Sequence, residues 1–314
     1  AFVDKMGDEG KIDKIIDDLL DLSLELSTKL IDTQPDNLKP EQSFLVYIPQ
    51  QDEDSVAISL PGVFFDKAAE RGITKLELSS EILTLIVPMD ALNEIHKEKG
   101  LKITAKKADK EALAKSVQEQ IPDGSLLIEI TEASGKNFMR PIEIGIPFAG
   151  KYSDEAAVTV FLLKEDGSIL AIGGIYDSAI KKAIFFSEHF STYFAKESIA
   201  DFKDTKNHWA SKEIGILAGK GIIKGKAEGI FDPDSSITRA EFVALMTRAL
   251  GHDESPGYLV PFTDVTQNDW YYSSIAIAYN KGLVSGKSTT EFDPNGKITR
   301  QEMAKIVANI VENK

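Results

Sequence analysis

The chain has no cysteine, only two tryptophans and four histidines, and no apolar run near the ~20 residues that a membrane-spanning helix needs. Without cysteine there are no disulfides, no thiolate catalysis and no zinc–cysteine sites, although this does not fix the compartment. His96, His189, His208 and His252 are scattered without HxxxH or HExxH spacing, so no metal and no cofactor is expected. Cations are also in short supply, with 36 Lys and Arg against 50 Asp and Glu and a net charge of −14. That balance argues against nucleic acid and against anionic membrane surfaces, both of which would repel the chain. The opening Ala1-Phe2-Val3-Asp4 has neither Met nor a signal peptide, and a processed or excised piece is expected.

At 314 residues the chain is long enough for two or more domains, each with its own core. Ile12, Ile15, Ile16, Leu19, Leu20, Leu26 and Leu30 form a helical stripe, predicting an amphipathic helix over 11–32. Its acidic polar face favours packing on a neighbour over a membrane surface. A linker follows over 33–40. Residues 43–195 read mainly as short aliphatic strands at 44–48, 56–58, 76–78, 83–87, 126–130, 142–144, 158–163 and 169–172. Asp166-Gly167 between the last two signals a hairpin. A helix is expected at Ala108–Gln120 and a buried terminal strand at Ala183–Phe194.

No Gly-rich phosphate loop, GxSxG or distinctive acidic pair occurs in this stretch, so a spacer is expected rather than an enzyme. His189-Phe190-Ser191 is similar to the processing site of ZU5-type and GAIN-like autoproteolytic domains. The simpler reading is the terminal strand, with His189 satisfied by hydrogen bonds.

The last third of the chain is written twice. Asp204, Trp209, Gly221, Gly225, Phe231, Pro233, Thr238, Arg239 and Glu241 return as Asp264, Trp270, Gly282, Gly286, Phe292, Pro294, Thr299, Arg300 and Glu302. A fixed spacing this long means a duplicated folding unit. Each copy opens on an aromatic-x-Asp turn and continues into a helix near the Trp. In the first copy Ala210, Ile214, Leu217, Ala218 and Gly221 share a face; in the second Tyr271, Ile275, Ala278 and Tyr279 do. Gly221 and Gly282 are placed to end these helices in the left-handed conformation. Thr238 with Glu241, and Thr299 with Glu302, spell a capping box that starts a second helix. Ile237 with Phe242, and Ile298 with Met303, can staple it. The Asp-Pro stretches are turns and not calcium loops, because the twelfth loop position is Val243 or Ala304 where an EF-hand needs Glu.

Folding does not favour the arginines. Arg239 and Arg300 occupy the first helical position, beside the positive end of the helix dipole. Such a residue is a candidate for function. An arginine fork next to free helix N–H groups suits a carboxylate or phosphate; an internal salt bridge, for instance to Asp204 or Asp264, is the structural alternative.

Together Phe202-x-Asp204, His208-Trp209-Ala210, Gly221-Ile222-Ile223-x-Gly225, Phe231-x-Pro233 and Ile237-Thr238-Arg239-Ala240-Glu241-Phe242 closely resemble the S-layer homology (SLH) family of bacterial surface proteins. The second copy matches with Phe262-x-Asp264, Asp269-Trp270, Gly282-Leu283-Val284-x-Gly286, Phe292-x-Pro294 and Ile298-Thr299-Arg300-Gln301-Glu302. It departs at Gln301, where Ala is usual, and at Tyr271 after the Trp. The resemblance covers residues 200–314. It implies non-covalent, non-enzymatic anchoring to the cell wall through secondary cell-wall polysaccharide bearing pyruvate ketals, bound in grooves between adjacent modules. Arg239 and Arg300 would pair with the ketal carboxylate. Trp209 and Trp270 would form apolar groove wall or core, and Asp204, Asp264, Gly225 and Gly286 would shape the groove. Two modules imply one complete groove, and other S-layer or surface-protein subunits are further partners. The alternatives are the anchoring end of an extracellular glycan-degrading enzyme or scaffold, or a β-rich receptor for another surface glycan or protein.

The expected architecture is multi-domain α+β. A helix and linker over 1–38 precede a sandwich-like β-rich module over 39–199. Helix-turn-helix modules follow over 200–254 and 255–314, on an extracellular, wall-associated chain.

Overall fold

A computed structural model describes residues 14–22, 43–48, 54–252 and 257–312, in two compact units, Ala1–Glu197 and Ser198–Lys314. In the first unit the aliphatic runs form strands because every second side chain can be buried. β1 (Ser43–Tyr47), β3 (Lys75–Ser79), β4 (Thr84–Pro88), β7 (Ile142–Pro147), β11 (Lys182–Ser187) and β10 (Ile175–Asp177) lie side by side in one sheet. The other has the order β2 (Ser55–Leu60), β5 (Leu101–Ala108), β6 (Leu127–Glu132), β12 (Thr192–Glu197), β8 (Val158–Leu163), β9 (Ile169–Ala171). Leu76, Leu85, Ile144 and Phe185 from the first sheet share one core with Val56, Ile103, Ile130 and Tyr193 from the second, so the unit is a sandwich. β5 shows the pattern plainly: Leu101, Ile103 and Ala105 are buried, and Lys102, Thr104 and Lys106 are exposed. The Asp166-Gly167 turn joins β8 to β9 antiparallel, with Gly167 at φ 80°.

The sequence expectation failed at two places in this unit. Ala108 ends β5, and only a 3-10 turn (Lys110–Ala112) and a single helical turn, α4 (Lys115–Gln118), follow it. Val117 and Ile121 have helical spacing, but they pack onto Phe161, Leu163 and Phe194 and cover one sheet face. Gln118 ties this segment down by donating to the carbonyls of Glu111 and Leu113. That cover explains why β8 is buried on both faces. The expected strand Ala183–Phe194 is two strands in different sheets, β11 and β12, and Glu188–Ser191 crosses between them. Within the expected 11–32 helix, residues 14–22 form α1, with Ile16 and Leu20 buried but Leu19 50% exposed. Its Asp17 and Asp21 hold Lys67 and Arg71, at the end of α2 (Gly62–Glu70), at 2.6–2.8 Å. Ile12, Leu26, Leu30 and the linker 33–40 lie outside the described residues.

The second unit is two helix-turn-helix modules: α5 (Ser211–Gly219) with α6 (Arg239–Ala249), and α7 (Tyr272–Asn280) with α8 (Arg300–Glu312). α5 and α7 end in the expected way. Gly221 and Gly282 have φ of 73° and 70°. The Ile222 and Leu283 amides donate back to Leu217 and Ala278, and the Gly221 and Gly282 amides to Ala218 and Tyr279. The buried face of α5 differs from expectation: Ile214, Gly215, Ile216 and Gly219 are buried and Leu217 is left exposed. The glycines are the reason, because the Ser198–Ala200 backbone lies against them and a Cβ on Gly219 would sit 2.1 Å from the Ser198 carbonyl oxygen. Ala240 and Val243 of α6 join the core formed by Tyr271, Ile275, Leu283, Phe292, Ile306 and Ile310, so the modules share their packing.

Candidate binding site at the module junction

Most of the repeated residues have structural tasks. Asp204 accepts from the amides of Phe231 and Asp232 at 3.0 and 2.7 Å, and Asp264 from those of Phe292 and Asp293 at 2.9 and 2.8 Å. These bonds fix the Phe-Asp-Pro turn, whose Asp232 and Asp293 have φ near 60°. They also hold the Asp204 carboxyl below its usual range. Gly225 and Gly286 let that turn close in: a Cβ at Gly286 would lie 2.3 Å from the Ser288 carbonyl oxygen and 2.6 Å from the Phe262 ring. Thr238 and Thr299 cap α6 and α8, receiving the amides of Glu241 and Glu302 and donating their own amides to those carboxylates. Lys226 pairs with Glu241, and Lys287 with Glu302. Lys287 first, then the Thr299 cap, pull Glu302 down to about 2.

The arginines are not equivalent. The first amides of α6 are not free, as the sequence reading supposed: Arg239 N–H donates to the Gly296 carbonyl and Ala240 N–H to that of Pro294, both at 2.9 Å. The second module's Asp-Pro-Asn-Gly turn thus caps the first module's helix. Arg239 reaches past it. Its Nη2 donates to the Ser285 carbonyl at 2.7 Å, its Nη1 lies 3.5 Å from Glu302 Oε1, and its guanidinium carbon sits 4.7 Å from the Phe292 ring centroid. The internal salt bridge is therefore to Glu302, and not to Asp204 or Asp264. Its Nε is buried without a partner, and burial lowers its pKa against the opposing pull of Glu302 and Asp293. Arg300 is exposed.

Arg239 opens on a cleft of about 210 Å³ with Leu283 and Ile306 on its apolar side and Lys287, Glu302, Lys305 and Asn309 on its polar side. Three cations face one carboxylate there. Of the residues singled out in the sequence, the structure gathers Arg239, Gly286 and Glu302 at this cleft. Arg300, Asp204, Asp264, Gly225, Trp209 and Trp270 are not among its lining residues. Trp209 is 88% exposed and Trp270 62%, so neither is core. Sequence reasoning missed Lys287, Lys305 and Asn309. Lys226 and Lys287 recur in the same register as the arginines, and that signal was available.

Residues 201–243 and 261–304 match the S-layer homology domain. The chain carries two SLH modules. Relatives extend the comparison. An amylopullulanase of Thermoanaerobacterium thermosulfurigenes is 30% identical over 251 residues, covering 79% of this chain and 13% of that protein. A surface-layer 125 kDa protein of Lysinibacillus sphaericus is 40% identical over 104 residues, 33% of this chain and 9% of the relative. A cellulosome-anchoring protein of Acetivibrio thermocellus is 47% identical over 74 residues, 24% of this chain and 17% of the relative. The chain thus spans a small fraction of each. The amylopullulanase match is more than twice as long as the SLH unit and therefore runs into the sandwich. SLH modules are non-catalytic anchoring modules, and they place this chain at the cell surface, associated with the cell wall.

In the sandwich, His189 Nδ1 contacts Ser187 Oγ at 2.9 Å, and its carbonyl accepts from Ser187 Oγ and Tyr193 OH. Ser191 Oγ donates to the Leu163 carbonyl at 3.3 Å. His189 is thus engaged with Ser187, and the Ser191 hydroxyl is directed to the neighbouring strand.

Proposed function

We propose that the SLH modules hold this chain non-covalently on a secondary cell-wall polysaccharide bearing pyruvate ketals, with a ketal carboxylate entering the cleft beside Arg239. The excess of cations in that cleft, with Arg239, Lys287 and Lys305 against the single carboxylate of Glu302, supports this reading. Lys287 and Lys305 supply charge at the mouth, Asn309 a neutral polar contact, and Leu283 and Ile306 an apolar wall. Arg300 and the exposed Trp209 and Trp270 contribute outside the cleft, the indole rings by stacking on sugar faces. Asp204, Asp264, Gly225 and Gly286 act indirectly, by fixing the turns. The sandwich serves as a non-catalytic spacer.

Sedimentation with purified cell walls tests this reading. Walls with intact ketals should retain the chain, and chemical removal of pyruvate should release it. An Arg239→Ala/Arg300→Ala double variant should bind at least tenfold less. Retention unaffected by either treatment would sink the carboxylate mechanism.

A second reading is supported by the amylopullulanase match that runs into the sandwich. In it, sandwich and modules together form the wall-anchoring end of an extracellular glycan-degrading enzyme or scaffold. A glycan array probed with the full chain separates a spacer from a receptor sandwich, because receptor binding would persist when the wall cleft is disabled.

A further inference from the structure

The sandwich contains one buried histidine that its packing leaves half satisfied. His96 is fully buried on α3 (Glu94–Lys99), where it is the third helical residue. The N-cap Asn93 receives the His96 amide on its Oδ1 at 3.0 Å and sends its own amide to His96 Nδ1 at 3.4 Å. Because Nδ1 is an acceptor, the neutral ring carries its proton on Nε2. Nε2 has no hydrogen-bond partner and lies 3.7 Å from Glu132 Oε2 on β6. That carboxylate oxygen already accepts from the amide and hydroxyl of Ser134.

A second proton on this ring would go to Nδ1 and point at the Asn93 amide, so it cannot enter without breaking that half of the capping box. Asn93 is also the residue that holds the β6–β7 loop, through Nδ2 to the Asn137 carbonyl at 2.9 Å. The same loop is bound by Met139 N–H to Ala91 and by Phe138 N–H to Glu188. Phe138 packs between His96, tilted at 5.1 Å, and Phe190, edge-to-face at 5.4 Å. One ring column therefore runs from the buried histidine to the His189-Phe190-Ser191 turn. Glu132 is the ionisable group that faces Nε2. Lys136 and the Asp90–Arg140 pair lie in the loop and its contact, Glu188 and His189 in the turn beyond Phe190, Lys102 exposed on β5, and Glu94 and Lys97 on α3 itself.

We propose that His96, Asn93 and Glu132 form an acid-sensitive latch that holds the β6–β7 loop and the 188–191 turn closed while the imidazole is neutral. Burial depresses the basicity of His96, and Glu132 only partly opposes it. An unfolded or opened histidine binds a proton near pH 6.5. The stabilising contribution is therefore complete above that pH and is lost as pH falls below it.

Hydrogen exchange on the full chain, corrected for intrinsic rates, tests the latch. Amide protection over Asn93–Lys97 and residues 133–139 should drop at least tenfold between pH 7.5 and pH 5, while α6 amides stay protected. In His96→Gln, whose side-chain oxygen can still accept the Asn93 amide but cannot take a proton, the drop should vanish. Equal protection at both pH values in the wild type, or the same drop in H96Q, overturns the proposal. Should H96Q fail to fold, imidazole NMR shifts of the wild-type chain decide: His96 protonation must track the loss of protection, and protection that stays flat across the titration overturns it.

Discussion

At the residue scale the repeated arginines share a sequence context and not an environment. Arg239 is desolvated, bonded to the Ser285 carbonyl and stacked on Phe292; Arg300, one register on, is exposed. Their truncations should therefore differ. Arg239→Ala should destabilise the SLH unit by about 2 kcal/mol, because it removes a charged hydrogen bond and a desolvated cation–π contact. Arg300→Ala should stay within about 0.5 kcal/mol, as exposed substitutions do. Urea unfolding followed by helical circular dichroism measures both, and equal losses would contradict the asymmetry. In wall binding, too, the Arg239 variant should lose more than the Arg300 variant.

At the element scale, each α6 or α8 start depends on a carboxylate with several partners. Glu302 caps Thr299, pairs with Lys287 and faces Arg239. Its folded pKa near 2 lies below the ordinary 4.5. Its contribution is thus present above about pH 4.5 and is lost as pH falls toward 2. Thermal unfolding between pH 6 and pH 3 should show the loss, and Glu302→Gln should flatten that dependence. The capping boxes and the glycine helix ends were legible because they are local: three or four residues contain both donor and acceptor. The helix expected at 108–120 was not, because Val117 and Ile121 have helical spacing whether they line a helix or lie on a sheet. Ala183–Phe194 was misread for the same kind of reason. The polar Ser187-Glu188-His189 that marks the crossing is short enough to sit within one strand, and only pairing partners reveal the change of sheet.

At the scale of the whole molecule, the two modules supply a cleft at their junction, formed by Arg239 from the first and Lys287, Lys305 and Asn309 from the second. A net-acidic chain of charge −14 thus presents a local cationic site. Binding that rests on that site should weaken several-fold between ~0.1 M and ~1 M salt, as the screening length contracts from ~10 to ~3 Å. Titration of wall fragments at the two salt concentrations checks this, and salt-independent retention would shift the weight to stacking on the exposed tryptophans.

The sequence alone determined the duplication, the helix starts and stops of the two modules, the strand-rich character of the first unit and the SLH resemblance. Each of these is written in spacing along the chain. Tertiary structure alone decided which arginine is buried, that the amides of α6 are taken by the next module's turn, and which lysines share the cleft. Those outcomes depend on residues about 50 to 65 positions apart meeting in space, and two copies with the same local sequence can differ completely in what lies opposite them.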